Sequence, residues 1–408
     1  MKKKMNSQMT NDESVNSVFE EYDEYDEYNL YYESVSVIFR VVSFALFAFL
    51  LLFVVASAFI GAEAFSYSNL EYIARNFALT LKENKDLIQQ PIRYNPDPMN
   101  QYGLFGEGLA VCGSSMLSIY SATGRQICSE TLSFRRPVMV SSDKYVLIYD
   151  EGSGNYALYN SFSSVHKDTL NNSIRGASLA DNGYYALLTS SDAYSSVVEI
   201  YNSDFSLISR HNKTGYVSCM DITESEALIV TVDAEPAAST FNIEISVSSL
   251  GAGENTFSVD VTAGFPLGCR VTPNGFTVVC SDSVLFFDRN GNVVADHMFD
   301  DELLSDFVIS STNVLLLFRS KSINIGYEIV CLDSLGEAEY RKNISETVFD
   351  IEMYEDSAFV LTETSIFCVR NNSIQTVKVE SSDYDCRLYA IANDKFYYCS
   401  DTYAAVFN

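Results

Sequence analysis

The chain has 408 residues, of which 47% are hydrophobic, and its net charge is −28. The apolar content is sufficient for a large core. A surface this acidic repels phosphate backbones and anionic lipid headgroups. Nucleic-acid binding is therefore excluded from the expected functions.

The first 40 residues form an acidic segment with a net charge of −5, and residues 20–33 read EEYDEYDEYNLYYE. Like charges at this density resist compaction, so the sequence predicts a disordered, tyrosine-rich tail over residues 1–40. The simplest interpretation is a solvated spacer. The alternative is a docking or phosphorylation segment, since phosphate on these tyrosines would add charge that an arginine cluster could bind.

The run from Val41 to Ala62 contains no charged side chain. A helix over residues 41–62 spans about 33 Å, slightly more than a hydrocarbon core of about 30 Å. Only a helix satisfies all of its own backbone groups in lipid. The sequence therefore predicts a single transmembrane helix. Because the run is long and begins far from the N-terminus, we expect a retained signal anchor rather than a cleaved signal peptide.

Basic residues near this run give its expected orientation. Arg40 directly precedes the run, whereas the first basic residue after it is Arg75. The positive-inside rule then places the tail in the cytoplasm. The expected location is the cell membrane, crossed once, with a cytoplasmic N-terminus and an extracytoplasmic C-terminal domain.

A short helix and a linker are predicted over residues 63–99. Ser68 and Glu71 form a capping box, and apolar residues then recur at helical spacing. This pattern predicts an amphipathic juxtamembrane helix over residues 68–84, on the membrane surface or beneath the next domain. The proline-containing stretch 89–98 ends the helix and acts as a linker.

From about residue 100 one pattern repeats: a short strand, a polar turn and a continuous apolar strand. The clearest copies are residues 138–150, 177–189, 220–232 and 269–281. Four further copies follow the same outline at residues 104–114, 307–319, 351–363 and 388–400. The pattern therefore occurs eight times.

These repeats predict an all-β domain, a β-propeller over residues 100–408, with eight blades favoured and seven possible. The middle strands of a blade are covered on both faces by its neighbours, and segments such as YVLIY and VLLLF are apolar without alternation. Asn182-Gly183, Asn274-Gly275 and Asn290-Gly291 supply turns with positive φ. A β-sandwich array is the alternative, but eight similar units without long linkers favour the propeller.

The last repeat ends one strand short of a complete blade, because only YAAVFN follows its apolar strand before the chain ends. Residues 92–95, which read IRYN, are expected to supply the missing strand. This would close the ring and remove the exposed edges of an open sheet.

The sequence shows no catalytic, cofactor-binding or metal-binding constellation. Its three histidines, His166, His211 and His297, have no second His or Cys at ligand spacing. No nucleophile elbow, phosphate-binding loop or dinucleotide fingerprint is present. Residues 288–292, DRNGN, resemble a calcium loop, but a hairpin turn is expected because the full loop requires a distant bidentate carboxylate.

The chain has nine cysteines, none in a C-x-x-C motif. Most lie in apolar, strand-like runs, so they are predicted to be buried thiols. Two pairs, Cys112 with Cys128 and Cys269 with Cys280, would be able to bridge neighbouring strands in an oxidising compartment. The sequence leaves their pairing open.

The order of these parts resembles a bacterial family of unknown function. The segments that carry the resemblance are NLEYIARNFALTL, LAVCGSSMLSIYSATGRQI, VLIYDEGSGNYALYN, ASLADNGYYALLT, GYVSCMDITESEALIV, VTPNGFTVV and FFDRNGNVV. The resemblance covers the chain from about residue 41 to the C-terminus. It implies a cytoplasmic tail, one membrane span and an extracytoplasmic propeller-like domain in a bacterial envelope. It implies no activity, and the tyrosine-rich tail is not part of it.

We therefore expect a membrane-anchored binding or scaffold protein, and not an enzyme, that presents a propeller to a protein, peptide or glycan of the envelope. One alternative is a propeller hydrolase or lyase with carboxylates from several blades at the central axis. Clustered carboxylates with raised pKa in that position would favour it. A second alternative is a sensor coupled to the acidic tail.

Overall fold

The computed structural model describes one N-terminal segment and most of the chain after residue 90. The described ranges are 36–51, 91–161, 163–233, 240–250, 256–300, 302–319, 326–370, 373–379 and 385–407. The chain divides into two compact units, Met1–Asn84 and Lys85–Asn408.

Helix α1, residues 36–51, is the described part of the first unit. Among the described residues, no helix is long and apolar enough to cross a membrane. The prediction of a transmembrane helix over residues 41–62 is therefore not supported. Residues 52–62, the predicted helix 68–84 and the tail through residue 35 lie outside the described residues.

The described part of the second unit forms eight four-stranded antiparallel sheets. Strand β1 (Ile92–Arg93) precedes the first complete sheet. Blade 1 consists of β2 (Gln101–Phe105), β3 (Gly108–Cys112), β4 (Met116–Tyr120) and β5 (Gln126–Thr131). Blade 2 consists of β6 (Pro137–Ser141), β7 (Val146–Asp150), β8 (Asn155–Tyr159) and β9 (Ser164–Thr169). Blade 3 consists of β10 (Gly176–Leu179), β11 (Tyr185–Thr189), β12 (Ser196–Tyr201) and β13 (Leu207–Lys213). Blade 4 consists of β14 (Tyr216–Ile222), β15 (Glu226–Val232), β16 (Phe241–Ser249) and β17 (Thr256–Ala263).

The other four blades follow the same order. Blade 5 consists of β18 (Pro266–Thr272), β19 (Gly275–Cys280), β20 (Ser283–Asp288) and β21 (Val293–Met298). Blade 6 consists of β22 (Leu303–Ile309), β23 (Val314–Arg319), β24 (Tyr327–Leu332) and β25 (Ala338–Ile344). Blade 7 consists of β26 (Val348–Tyr354), β27 (Ser357–Thr362), β28 (Ser365–Arg370) and β29 (Ser373–Lys378). Blade 8 consists of β30 (Arg387–Ala392), β31 (Lys395–Cys399), β32 (Tyr403–Phe407) and β1.

Each hydrophobic core lies between two consecutive blades. Val230 of blade 4 and Val278 of blade 5, for example, share one buried cluster, and Leu109 of blade 1 and Tyr397 of blade 8 share another. Such clusters join every neighbouring pair of blades around the ring. The second strands are therefore covered on both faces, and every residue of β7, β19 and β27 is buried. The eight-bladed propeller is confirmed and the β-sandwich array is wrong.

Two of the three predicted Asn-Gly turns are present in the structure. Gly183 and Gly291 adopt φ of 90° and 84°, in the left-handed region that glycine reaches without a steric penalty. Gly275 instead begins strand β19, and the turn before it is formed by Pro273 and Asn274. A Cβ atom on Gly275 would collide with the carbonyl oxygen of Phe287, so this glycine permits the close approach of β19 and β20.

The ring is closed by strand β1, as the sequence predicted. Ile92 lies opposite Ala404 and Arg93 lies opposite Tyr403, which makes β1 the outermost strand of blade 8. The side chain of Ile92 is only 4% exposed and packs in the core between blades 8 and 1. A short N-terminal strand thus completes the C-terminal blade.

Tyrosine hydroxyls reinforce this seam between blades 8 and 1. Tyr94 and Tyr102 both donate hydrogen bonds to the carbonyl oxygen of Ser400, at 2.6 and 2.9 Å. Tyr389 donates to the carbonyl oxygen of Tyr102 at 2.7 Å. Burial raises the pKa of Tyr102 to about 12, so its hydroxyl keeps the proton that it donates.

Replacing Ile92 by Ala should destabilise the protein, because it leaves a cavity in the core that closes the ring. The expected loss is about 2–5 kcal/mol in the free energy of unfolding, measured by chemical denaturation. Ile374→Ala is the matched control, since Ile374 is 50% exposed. It should change stability by less than about 0.5 kcal/mol. Equal effects of the two substitutions would contradict a closing role for β1.

Candidate functional site

The first strand of each blade lies at the centre of the ring. These strands contact one another from blade to blade, and they are β2, β6, β10, β14, β18, β22, β26 and β30. Because every blade follows the same antiparallel order, these inner strands run parallel and begin at the same end of the axis. Polar side chains on them therefore lie at the axis or at the junctions between blades.

Carboxylates of the inner strands bond to the backbone of the next blade. Asp221 Oδ2 accepts the N–H of Val271 at 2.8 Å, which joins blade 4 to blade 5. Asp350 Oδ2 accepts the N–H of Leu388 at 2.6 Å, which joins blade 7 to blade 8. An inner strand has no strand partner on its axial edge, so these side chains satisfy backbone donors that would otherwise lack one.

Uncharged side chains form the same kind of junction elsewhere. Gln101 of blade 1 donates through Nε2 to the carbonyl oxygen of Pro137 at 2.7 Å and accepts the N–H of Met139 at 2.9 Å. Ser178 Oγ of blade 3 accepts the N–H of Ile222 in blade 4 at 3.1 Å. The junctions thus use different residue types for one structural task.

Two axial carboxylates have strongly raised pKa. Burial raises the pKa of Asp350 to about 7 and that of Glu352 to about 7. The negative charge of Asp306 adds to both shifts, whereas Arg387 opposes the shift of Asp350 and Arg270 opposes that of Glu352. Asp350 and Glu352 are two residues apart on β26, so they share one face of the strand. A pair of half-protonated carboxyl groups at neutral pH is able to donate and accept protons.

A large cavity lies at the seam, at the end of the axis where the inner strands begin. Its volume is about 590 Å³. Segment 96–100 and blades 1, 2 and 8 line it, with the side chains of Pro96, Asp97, Pro98, Asn100, Gln101, Tyr102, Met139, Asp385, Arg387, Tyr389 and Asp401. We call this cavity the seam pocket.

The segment that forms one wall of the seam pocket is fixed by Asp97. Its carboxylate accepts hydrogen bonds from the hydroxyl of Ser114 at 2.5 Å, the N–H of Ser114 at 2.8 Å and the N–H of Met99 at 2.9 Å. The hydrogen bond from the Ser114 hydroxyl, with those backbone bonds, lowers the pKa of Asp97. This carboxylate is therefore ionised at neutral pH and ties the linker to blade 1.

Charge in the seam pocket is predominantly negative. Asp97, Asp385 and Asp401 contribute three carboxylates, and Arg387 contributes one guanidinium. Arg387 Nη1 donates to the carbonyl oxygen of Cys386 at 2.8 Å, which directs the guanidinium along the start of β30. The pocket thus combines a surplus of acidic groups with amide and tyrosine side chains.

The structure places the three histidines on three different blades, and none of them lines this pocket. His166, His211 and His297 lie on β9, β13 and β21, which are the outermost strands of blades 2, 3 and 5. Within the described ranges, no group of three or more His, Cys, Asp or Glu side chains is arranged to hold a metal ion.

The DRNGN segment forms a hairpin turn between β20 and β21, as expected. Asp288 Oδ1 accepts the N–H groups of Asn290 and Asn292, each at 2.8 Å. Its other oxygen accepts the side-chain amide of Asn292, also at 2.8 Å. The carboxylate is therefore used within the turn.

All nine cysteines lie among the described residues, and none forms a disulfide. Six are buried, as predicted, whereas Cys219, Cys269 and Cys368 are half-buried. Neither of the two pairs suggested by the sequence is bonded. Instead, Cys269 lies near Cys219 of the neighbouring blade, and both pack against the core that blades 4 and 5 share.

None of the axial or seam residues was predicted from the sequence as a site residue. The sequence did contain one signal for the axial residues. In some repeats a charged residue lies inside the short strand before the polar turn, as in MDITE and FDIEM. Such a residue points to an axis or junction position only once the strand is known to be innermost. The residues of the seam pocket carry no local signal, because they come from both ends of the propeller sequence.

The fold and the axial site define the class of this protein: it is an eight-bladed β-propeller. A family described as "Family of unknown function (DUF5711)" matches residues 91–403, and the chain belongs to that family. The family of unknown function and the propeller domain implied by the sequence resemblance are thus confirmed. No curated protein sequence matches the chain.

Several solved structures share the propeller fold. The computationally designed Ika8 protein is similar with a TM-score of 0.56 and 8% identity, over 77% of this chain and 97% of that chain. BamB from Moraxella catarrhalis is similar with a TM-score of 0.52 and 11% identity, over 78% and 98% of the two chains. Saccharomyces cerevisiae Sqt1 is similar with a TM-score of 0.50 and 10% identity, over 78% and 99%. At these identities the similarity shows the fold alone.

The propeller should be more stable at pH 5 than at pH 8. The pKa of the Asp350 and Glu352 carboxyl groups is about 4 in the unfolded chain and about 7 in the folded protein. At pH values between these two, Asp350 and Glu352 bind more protons in the folded state than in the unfolded state. The free energy of unfolding therefore falls as the pH rises through this range. In Asp350→Asn/Glu352→Gln, the difference in Tm between the two pH values should shrink by roughly 5 °C, measured by circular dichroism.

The matched control for this experiment is Asp192→Asn/Asp204→Asn, which removes the same charge from two exposed positions. If the control narrowed the difference in Tm as much as the axial variant does, general charge repulsion would explain the pH dependence. The burial of the axial carboxylates would then not be its cause.

Proposed function

We propose that this propeller is a binding protein whose seam pocket accepts a positively charged segment of a protein partner. The observation that carries the proposal is a cavity of about 590 Å³ lined by three carboxylates and one guanidinium. Its volume lies within the range of about 300–1,000 Å³ that is typical of ligand pockets. It is large enough for one or two long side chains with part of their backbone.

The charge of the pocket and of the chain favour a cationic ligand. The carboxylates of Asp385 and Asp401 belong to exposed residues at the mouth of the pocket, where a lysine or arginine side chain could reach them. The net charge of −28 produces a field that attracts a basic partner over a distance of about one Debye length. Affinity for such a partner should therefore decrease with added salt.

Exposed apolar side chains on the same face favour a polypeptide over a small free cation. Tyr216, Leu267 and Leu303 lie at the starts of the inner strands of blades 4, 5 and 6, and they are 54%, 44% and 54% exposed. Phe265 precedes β18 and is 42% exposed. Inner strands begin at the end of the axis where the seam pocket lies, so these side chains share its face. Large apolar side chains exposed on one face are typical of protein interaction surfaces.

A second candidate function is that of a hydrolase or lyase. The observation that favours it is the pair Asp350 and Glu352, whose pKa is raised to about 7 at the axis. The N–H groups of Leu388 and Met353 already occupy one oxygen of each carboxylate. A structural role thus accounts for both positions, and binding is better supported. Turnover of a substrate that is lost in Asp350→Asn/Glu352→Gln would favour the enzyme.

Peptides selected by the full-length protein from a random phage-displayed library should be enriched in Lys and Arg. Asp385→Asn/Asp401→Asn should weaken binding of a selected peptide about tenfold, because about 1.4 kcal/mol of charge attraction is lost. The measurement is fluorescence anisotropy with the labelled peptide at low and high salt.

Asp192→Asn/Asp204→Asn is again the matched control, since both residues are exposed on blade 3 and neither lines the seam pocket. The control should retain the affinity of the unmodified protein within about twofold. Selected peptides without basic residues, or an equal loss in the control, would count against the seam pocket as the binding site.

We further propose that the N-terminal apolar run holds the protein at a cell membrane, with the tail cytoplasmic and the propeller extracytoplasmic. The support is the uncharged sequence from Val41 to Ala62 and the surface of α1. Large apolar side chains on α1 are about half exposed or more at successive positions, including Val41, Val42, Phe44 and Leu46. Apolar side chains that point in all directions are stable in lipid rather than in water.

Deletion of residues 41–62 should move the protein from the membrane fraction to the aqueous fraction in vesicle flotation. Val41→Lys/Phe44→Lys, which places two charges in the run, should release the protein from the membrane in part.

Protease added to intact cells should cleave the propeller and spare the tail. Flotation of the deletion variant with the vesicles would contradict this attachment.

A further inference from the structure

Two cysteines that are distant in the sequence face each other between blades 4 and 5. Cys219 lies on β14 and Cys269 lies on β18, which are neighbouring inner strands. Both side chains pack against the hydrophobic core that these two blades share. Both residues are half-buried.

The register between the two inner strands follows from the junction described above. Asp221 Oδ2 accepts the N–H of Val271, so these two residues lie side by side on parallel strands. Two residues earlier on each strand are Cys219 and Cys269. Side chains two residues apart on a strand share a face. Cys219 therefore points toward β18, as Asp221 does, and meets Cys269.

The two cysteines are neighbours across the junction of blades 4 and 5. Burial, the neighbouring Cys219 and the charge of Asp221 hold the pKa of Cys269 well above its usual value. Cys280 is fully buried in the same core, and Cys112 is buried in the core between blades 1 and 2.

We infer that Cys219 and Cys269 are a redox pair that forms a reversible disulfide joining blade 4 to blade 5. The oxidant is a small-molecule disulfide, such as oxidised glutathione. The thiolate of one cysteine attacks this disulfide and releases one small thiol, which leaves a mixed disulfide on the protein. The second cysteine loses its proton to solvent, attacks the protein sulfur of the mixed disulfide and releases the second small thiol. Two protein thiols are oxidised and one small disulfide is reduced to two thiols.

This bond would add a covalent link where two blades are otherwise held by packing, by the hydrogen bond between Asp221 and Val271 and by the ion pair between Arg289 and Glu226. It closes a loop that contains the remaining three strands of blade 4, and closing a loop of this length restricts the unfolded chain. The oxidised protein should therefore unfold at a higher temperature than the reduced protein. The raised pKa of Cys269 makes the reaction faster at pH 8.5 than at pH 7, because the thiolate is the reacting form.

The test uses the full-length protein in detergent, incubated with oxidised glutathione and then denatured for titration of thiols. The chain has nine cysteines, and the number of titratable thiols should fall from nine to about seven. Mass spectrometry of the non-reduced digest should identify a peptide pair that joins Cys219 to Cys269. Dithiothreitol should restore nine thiols and the original unfolding temperature.

Cys219→Ser and Cys269→Ser should each retain all of their remaining thiols after the same treatment, whereas Cys280→Ser should still lose two. Thiol titration and mass spectrometry of the unmodified protein test the inference without any substitution. The test therefore remains valid even if a variant fails to fold. Retention of all nine thiols in the folded protein, or a disulfide between any other two cysteines, would overturn the inference.

Discussion

No blade of the propeller can bury its own apolar faces, and the rest of the structure depends on this constraint. Each sheet has two such faces, and each is covered only by a neighbouring blade, so the ring must be complete. The core between blades 8 and 1 illustrates this dependence, because it unites Ile92 and Leu109 from the start of the propeller with Tyr397 from its end. A two-residue strand is sufficient for closure because it adds a buried side chain and the last backbone pairing of blade 8. The tyrosine hydroxyls then hold the first and last segments of the propeller together.

The same constraint explains the polar residues at the centre. Inner strands have no partner strand on their axial edge, so side chains such as Asp221, Asp350 and Gln101 bond to the backbone of the adjacent blade. Burial in the narrow centre of the ring raises the pKa of Asp350 and Glu352. A feature that is typical of catalytic carboxyl groups thus arises here from the way blades are joined. The seam pocket differs, since its carboxylates at Asp385 and Asp401 are exposed.

Several properties could be predicted from the sequence because they are encoded locally. Uninterrupted apolar strands such as β7 indicated sheets covered on both faces, and Asn-Gly pairs indicated the hairpins at Gly183 and Gly291. The incomplete last repeat indicated that an earlier strand must close the ring. The Asn-Gly pattern was misleading at Gly275. This glycine does not form a turn but permits the close approach of β19 and β20. The apolar run from Val41 predicted a membrane-spanning helix, but among the described residues no helix is long and apolar enough to cross a membrane.

The sequence by itself determined the class of fold, the number of repeats and the strand that completes the last blade, because each follows from the spacing of apolar and turn residues within one repeat. Only the tertiary structure decided which polar residues meet. Cys219 and Cys269 become neighbours through the register between two blades. Asp97 and Arg387 come to line one pocket through closure of the ring. Contacts of this kind join residues from different repeats, and no periodicity within a repeat specifies them.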